Sequence, residues 1–200
     1  MKYSHHIWFT ADLHFGHKKI HQFIPGRPGT STEHHDRILI RNWNKQVKPE
    51  DTVIILGDVF FMGSTNAKVI LSQLNGTKIR VRGNHDSPSH LQAMSHGFAM
   101  SVDSLTMDIA GQTVHLSHYP YKLSFWQNVD RILHFRKPQR YIDRRLENDG
   151  SWLLHGHTHS SEILKNNMIH VGLDAWNYRP VHISKIAYII QSGKLPKQIR

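Results

Sequence analysis

Apolar positions recur along the chain in two rhythms, one of strands and one of helices. Ile7–Thr10 is a short apolar run just before Asp12, the pattern of a buried first strand. Thr32–Val47 places Ile38, Leu39, Trp43 and Val47 at helical spacing, with Ser31 or Thr32 as cap and Pro49 just past the end. Thr52-Val53-Ile54-Ile55-Leu56 has no polar interruption after Thr52, as expected of a strand buried on both faces. A helix over Asn66–Leu74, ended by Gly76, leads into a strand at Lys78–Arg82 and a short helix at Leu91–His96. Ser104–Ala110 and Thr113–His118 flank Gly111-Gln112 and predict a hairpin. Ser151–Leu154 and Met168–Val171 read as strands, and Ile183–Gln191 as a helix capped by Ser184. Alternating strands and helices in the first half predict βαβ units and a parallel sheet, while the second half predicts antiparallel character. The expectation is a single domain over residues 1–200, an α/β sandwich with a mixed second sheet.

Composition narrows the chemistry. The 200 residues include 18 histidines, spread from His5 to His182, and no cysteine. Thiolate metal sites, iron–sulfur clusters and thiol nucleophiles are therefore excluded, leaving imidazole, carboxylate and amide as metal donors. Lys and Arg exceed Asp and Glu by 25 to 15, a net charge of +10, which points toward phosphate-bearing partners. No stretch approaches the ~20 apolar residues of a membrane span, and Met1–His6 does not open a secretory signal. The cytoplasm is the expected compartment, and no membrane partner is expected.

Five short polar clusters each follow a predicted strand: Asp12-Leu13-His14, Gly57-Asp58, Gly83-Asn84-His85-Asp86, His118, and Gly156-His157-Thr158-His159. Ligand sites in α/β sheets collect beyond the carboxyl ends of strands, so clusters far apart in sequence can meet there. Asp-x-His and His-x-His would put two donors on the same side of an extended strand end. Gly57, Gly83 and Gly156 allow sharp turns or close backbone approach. Seven donors of this chemistry exceed one tetrahedral site and suit two ions such as Mn²⁺, Fe or Zn²⁺.

In this order, the clusters resemble the calcineurin-like metallophosphoesterase superfamily over residues 7 to about 175. The start Asp12-Leu13-His14-Phe15-Gly16-His17, with Asn42-Trp43-Asn44, Asp51–Asp58 and Gly172-Leu173-Asp174-Ala175-Trp176, is similar to a small bacterial and phage-encoded branch. For a phage-encoded chain the compartment would be the host cytoplasm. The resemblance implies a four-layer α/β-β/α sandwich with two mixed sheets and a dinuclear centre of divalent metal. Manganese is expected there, with iron, zinc or nickel as alternatives. Asp12, His14 and His159 would bind the first metal, Asp58 would bridge, and Asn84, His118 and His157 would complete the second. His85 would protonate the leaving oxygen or stabilise phosphoryl charge, and Asp86 would orient His85 by hydrogen bonding. In-line attack on phosphorus by a hydroxide held between the metals is the implied mechanism.

Other residues carry weaker expectations. His17 could contact substrate phosphate or hold a ligand carboxylate. Arg82 could reach a phosphate bidentately or make a surface ion pair. Tyr119 and Tyr121 could stack on a base, although packing beside Pro120 is the commoner role. His155 is read as structural, Trp176, Asn177 and Arg179 as a pocket rim, and His5, His6, His34 and His35 as solvated surface. The basic segment Asp130–Asn148 holds Arg131, Arg136, Lys137, Arg140, Arg144 and Arg145 among apolar residues. It reads as an arm packed on the domain, as a surface for homo-oligomer formation, or as a phosphate-contacting flap. Lys194, Lys197 and Arg200 lie in a basic tail over residues 193–200.

The predicted activity is hydrolysis of phosphodiester bonds, or of monoesters, in small nucleotides. A nuclease or nucleic-acid-end processing enzyme is the alternative. A scaffold that lost catalysis ranks third, because no ligand position is missing.

Overall fold

The structure, a computed structural model, describes residues 6–124 and 140–196. Arg131, Arg136 and Lys137 of the basic segment, Lys197 and Arg200 of the tail, and His5 lie outside the described residues.

Strands β1 (Ile7–Thr10), β2 (Thr52–Leu56), β3 (Thr77–Val81) and β4 (Met100–Val102) run parallel in the first sheet. Strand β10 (Val181–His182) adds to the β1 edge in antiparallel sense. Helices α1 (Ile20–Phe23) and α2 (Thr32–Asn44) connect β1 to β2, α3 (Ser64–Gln73) connects β2 to β3, and α4 (His90–His96) connects β3 to β4. The second sheet has the order β5-β6-β7-β9-β8, from β5 (Leu105–Ile109), β6 (Gln112–Leu116), β7 (Trp152–His155), β8 (Leu164–Lys165) and β9 (Met168–His170). Its β5–β6 and β8–β9 pairs are antiparallel, while β6, β7 and β9 run parallel. The expected α/β sandwich of two mixed sheets with flanking helices is therefore the one observed.

The unbroken apolar run of β2 has a direct explanation. Val53 and Ile55 pack with Leu39, Trp43, Leu71 and Leu74 under α2 and α3. Ile54 and Leu56 face the other way, joining Val114, Leu116, Leu154 and Ile169 between the sheets. Both faces are apolar because both are covered. The last helix, α5 (Ile183–Ser192), buries Ile183, Ile186 and Ile189 in that inter-sheet core.

Local signals moved by one or two residues in places. Ser31 caps α2 by accepting the N–H of His34, as expected. The α5 cap is the His182 side chain, which accepts from the Ser184 N–H, instead of Ser184 itself. The β5–β6 turn is Ala110-Gly111, one residue earlier than expected, with φ of 61° and 75°. Positive φ at both turn residues matches the right-handed twist of a tight hairpin. Helix α3 ends at Gln73, before Gly76, which instead turns the chain into β3 at φ 82°. Among the described residues no helix is long and apolar enough to cross a membrane.

Candidate metal centre

The loops after β1 and β2 extend their pairing past the strand ends. Asp12 N–H donates to Gly57 O at 3.0 Å, His14 N–H to Asp58 O at 3.0 Å, and Phe15 N–H to Val59 O at 2.9 Å. This register sets Asp12 and His14 beside Asp58. In the second sheet, Gly156 N–H to His118 O at 3.0 Å extends the β6–β7 pairing in the same way, and His157 N–H ties this sheet to the first by donating to both Asp12 oxygens at 3.1 and 3.0 Å.

The donors are not presented from extended backbone, which corrects the expectation for Asp-x-His and His-x-His. Asp12, His14, Asp58, His157 and His159 all have positive φ, at 59°, 51°, 55°, 70° and 49°. Left-handed backbone is costly for such residues and persists where surrounding contacts over-determine it. Gly156 is required for another reason. A Cβ there would lie 2.5 Å from Ala11 Cβ and 2.7 Å from Asp12 Oδ2.

All seven expected donors converge. His14 Nε2 lies 3.3 Å from His159 Nε2 and 3.9 Å from Asp58 Oδ2. On the other side, His118 Nε2 lies 3.5 Å from the same Asp58 oxygen, 2.9 Å from Asn84 Oδ1 and 3.2 Å from His157 Nδ1. One Asp58 oxygen thus faces both halves of the set. Asp12 also reaches both, with His14 and His159 on one side and Asp58 and His118 on the other.

Tautomers follow from the acceptors. His118 Nδ1 is 2.8 Å from the Leu56 carbonyl, which can only accept, so Nε2 carries the lone pair aimed at Asp58 and Asn84. His159 Nδ1 donates to Asp174 Oδ2 at 2.8 Å, freeing its Nε2 in the same way.

The electrostatics fit divalent cations. Burial raises Asp12 and Asp58 to about 6, with added repulsion from Asp58 on Asp12 and from Asp86 on Asp58, partly offset by nearby histidines and, for Asp58, by the His85 N–H. Burial also drives His14 and His118 down and takes His157 to about 3. Buried carboxylates and crowded neutral imidazole lone pairs are costly unless a cation neutralises them. This donor set therefore suits divalent metal.

His85 sits beside the cluster. Its N–H donates to Asp58 Oδ1 at 2.9 Å, and its half-exposed ring places Nε2 4.0 Å from Asp58 Oδ2. Asp86 does not orient that ring. Both its oxygens are taken by backbone, from Asp58 and Gly83 on one and Val59 on the other, at 2.8–3.0 Å. An acceptor-only carboxylate beside three unpaired N–H groups is used to lock the Gly57–Gly83 turns together.

His17 leans on Phe61 at 4.2 Å, its Nδ1 accepts from Lys19 N–H at 3.1 Å, and among the described residues it holds no ligand carboxylate. Arg82 makes the surface ion pair, to Asp103 at 2.8 Å. Tyr119 and Tyr121 are buried, as packing predicts. His155 is buried against His170, ring to ring at 5.3 Å. Two minor expectations fail. Trp176 is core and donates to His170 O at 2.8 Å, because its large ring fills the inter-sheet space. His35 is fully buried and pairs with Asp36 at 3.0 Å instead of being solvated.

Sequence reasoning missed three contributors. Asp174 was visible in the Gly172–Trp176 stretch but had no role. Arg27, flanked by Gly26 and Pro28, carried no signal, yet it is buried and donates to Asp174 and to the Asp12 carbonyl at 2.7 Å. Phe61 packs on His14 at 5.1 Å and His85 at 4.6 Å.

Comparison with known proteins agrees with this geometry. Residues 29–173 match the model of the calcineurin-like phosphoesterase superfamily domain. The chain is 34% identical over 192 residues to the Gene 66 protein of Mycobacterium phage L5, covering 84% of this chain and 86% of that protein. It is 28% identical over 205 residues to an uncharacterized protein of Methanocaldococcus jannaschii, covering 96% of each. The solved structure of AQ665, a protein of unknown function from Aquifex aeolicus, is similar with a TM-score of 0.65 and 24% identity, over 92% of this chain and 98% of that one. With five clusters converging on one cation-hungry site and most of the chain matched, the protein belongs to the calcineurin-like phosphoesterase superfamily.

Proposed function

We propose that the protein is a divalent-metal-dependent phosphodiesterase acting on small nucleotides. The observation that supports this most is a cluster of seven oxygen and nitrogen donors in which one Asp58 oxygen faces both His14 and His118, with His85 beside it. Asp12, His14 and His159 would hold one ion, Asn84, His118 and His157 the other, with Asp58 between them. Two bound cations, manganese being the expected pair, supply a hydroxide nucleophile at neutral pH and positive charge against the phosphoryl oxygens.

The chain's own residues do the rest. Asp174 keeps His159 in the tautomer with a free Nε2, and Arg27 holds Asp174 in place. His85 donates a proton to the leaving oxygen, a role that needs an imidazole at the edge of the cluster instead of inside it. Phe61 supports the His85 ring and borders a groove of about 510 Å³ that also touches Gly16, Lys18 and Asn66. The leaving group would run along Phe61, the residue that joins this groove to the His85 ring.

The test is a metal-reconstituted screen with a generic diester, a generic monoester, cyclic nucleotides and single-stranded DNA. Faster turnover of the diesters supports the reading, while activity confined to the monoester overturns the diester preference. A nuclease is the second reading, favoured by exposed Arg140 and Arg144 on either side of Tyr141, whose ring lies 5.6 Å from His157. It requires steep loss of activity with salt on polynucleotides.

A further inference from the structure

Tyr141 stands over the His157 side of the donor cluster. Its ring lies 5.6 Å from His157 at 84°, and 5.4 Å from Tyr119 at 34°. Tyr119 is buried and packs edge-on against His118 at 4.9 Å and His157 at 5.1 Å. Two donor imidazoles and two tyrosines thus form one continuous aromatic assembly running from the core to the surface. At its outer end Tyr141 is 39% exposed. A large ring left partly in water loses hydrophobic free energy that a second ring laid on it would recover.

The backbone under Tyr141 is held, not loose. Its φ is 56°, a left-handed value that bulky aromatic residues rarely adopt. The following 3-10 turn, Ile142–Arg144, closes with Arg144 N–H to Tyr141 O at 3.0 Å. Arg145 donates to the Arg140 and Pro120 carbonyls at 3.0 and 2.9 Å, and its guanidinium covers Tyr119 at 5.7 Å. Strain fixed this firmly at the rim of a site is a sign of positioning.

Charge narrows what the ring would take. Exposed Arg144 sits beside the Tyr119 hydroxyl, and Arg140 is exposed at the start of the same turn. An aromatic face bordered by guanidinium suits a base carried on a phosphate. We propose that Tyr141 is the stacking platform for the substrate's nucleoside, and that it receives the part of the ester that stays on phosphorus. The side follows from the two walls of the site. Phe61 packs on His85, the proton donor to the leaving oxygen, whereas Tyr141 packs on His157 in the other half of the donor set. The leaving group therefore runs along Phe61 and the retained nucleoside along Tyr141. The assignment of sides rests on the phosphodiesterase reading; the stacking itself does not.

Two diesters with one leaving group test it: thymidine 5′-(p-nitrophenyl phosphate) and methyl p-nitrophenyl phosphate. The ratio of their kcat/KM values reads only the retained group, because both meet the same protein and metal. Tyr141→Ala should lower this ratio about tenfold, the scale of base–aromatic stacking, and Tyr141→Phe should preserve it. An unchanged ratio in Tyr141→Ala overturns the proposal. Calorimetric binding of thymidine 5′-monophosphate to the manganese-loaded protein gives a readout without turnover, with the same order expected among the variants. If no diester is cleaved but nucleotide binding still depends on Tyr141, the phosphodiesterase reading fails and the platform stands. If diesters are cleaved and neither readout responds to Tyr141, the platform alone fails.

Discussion

Asp174 accepts the Nδ1 proton of His159 at 2.8 Å while gripping the buried Arg27 guanidinium with both its oxygens, at 2.8 and 2.9 Å. Arg27 in turn donates to the carbonyl of Asp12 at 2.7 Å, so two expected ligands to one metal share a single supporting ion pair. Burial opposes charge on both partners, but their mutual hydrogen bond prevails: His159 is raised and Asp174 lowered from their ordinary values.

Replacing Asp174 with Asn removes the charge that fixes this arrangement and leaves Arg27 buried without an acid. Asp174→Asn should weaken manganese binding about 10–100-fold, the usual worth of a group that orients a ligand. Calorimetric titration of the metal-free protein measures this, and wild-type affinity in the variant would refute the role.

His85→Ala should leave metal content unchanged and lower turnover ~10²–10⁴-fold, the range for general acid catalysis. The His85 ring is half exposed and belongs to neither group of donors around Asp12, which is why binding should survive. Metal analysis and steady-state kinetics on one preparation separate the two effects. Loss of metal with activity would make His85 a ligand instead.

Gly156→Ala is expected to be severe although it adds one methyl group. The new Cβ would meet Ala11 Cβ at 2.5 Å and Asp12 Oδ2 at 2.7 Å, and neither a backbone-anchored methyl nor a buried carboxylate can yield cheaply. Overpacking of this kind costs about 1–3 kcal/mol. The melting temperature of the metal-free protein should fall, and metal affinity should fall with it. Wild-type values of both would show that the loop relaxes.

Stability of the metal-free protein should decline as pH falls below neutrality. Burial lowers His14 and His118, and lowers His155 and His157 to about 3 and His170 to about 4. In the unfolded chain each takes up a proton near its ordinary value of 6.5, so below that pH the unfolded state binds more protons and folding weakens. For the buried pair His155 and His170, the loss is about 1.4 kcal/mol each per pH unit until the folded pKa is reached. Asp12 and Asp58, raised to about 6 by burial, bind protons in the folded state first and act in the opposite sense between about 6 and 3.8. Two carboxylates offset five histidines only in part. Urea denaturation midpoints should therefore drop steadily from pH 7 to pH 5, and a flat profile would contradict the buried neutral histidines.

Much of this molecule is legible without its structure. The Val53–Leu56 run and the Ser31 cap are local signals that each produced the element they predict, and the Thr32–Val47 periodicity produced a helix that ends at Asn44. The donor clusters were found because residue type and position after a strand are both readable locally. Asp86 shows where such reading stops. Its place after His85 suggested a partner for that ring, yet its oxygens serve the backbone of Asp58 and Val59, 28 and 27 residues away.

Most of the strands, the candidate donor clusters and the absence of thiol chemistry were legible in the sequence alone, because hydrophobic period and side-chain chemistry are properties of short stretches, whereas the short strands β4, β8 and β10 carried no such signal. Tertiary structure decided the left-handed backbone at the donors, the Arg27–Asp174 support and the exposure of Tyr141 over His157. Each of these depends on distant partners: Arg27 and Asp174 are 147 residues apart, and His157 and Asp12 are 145 apart. No local pattern encodes which of two residues that far apart will meet. Packing of the two sheets brings them together, and the site exists only at that junction.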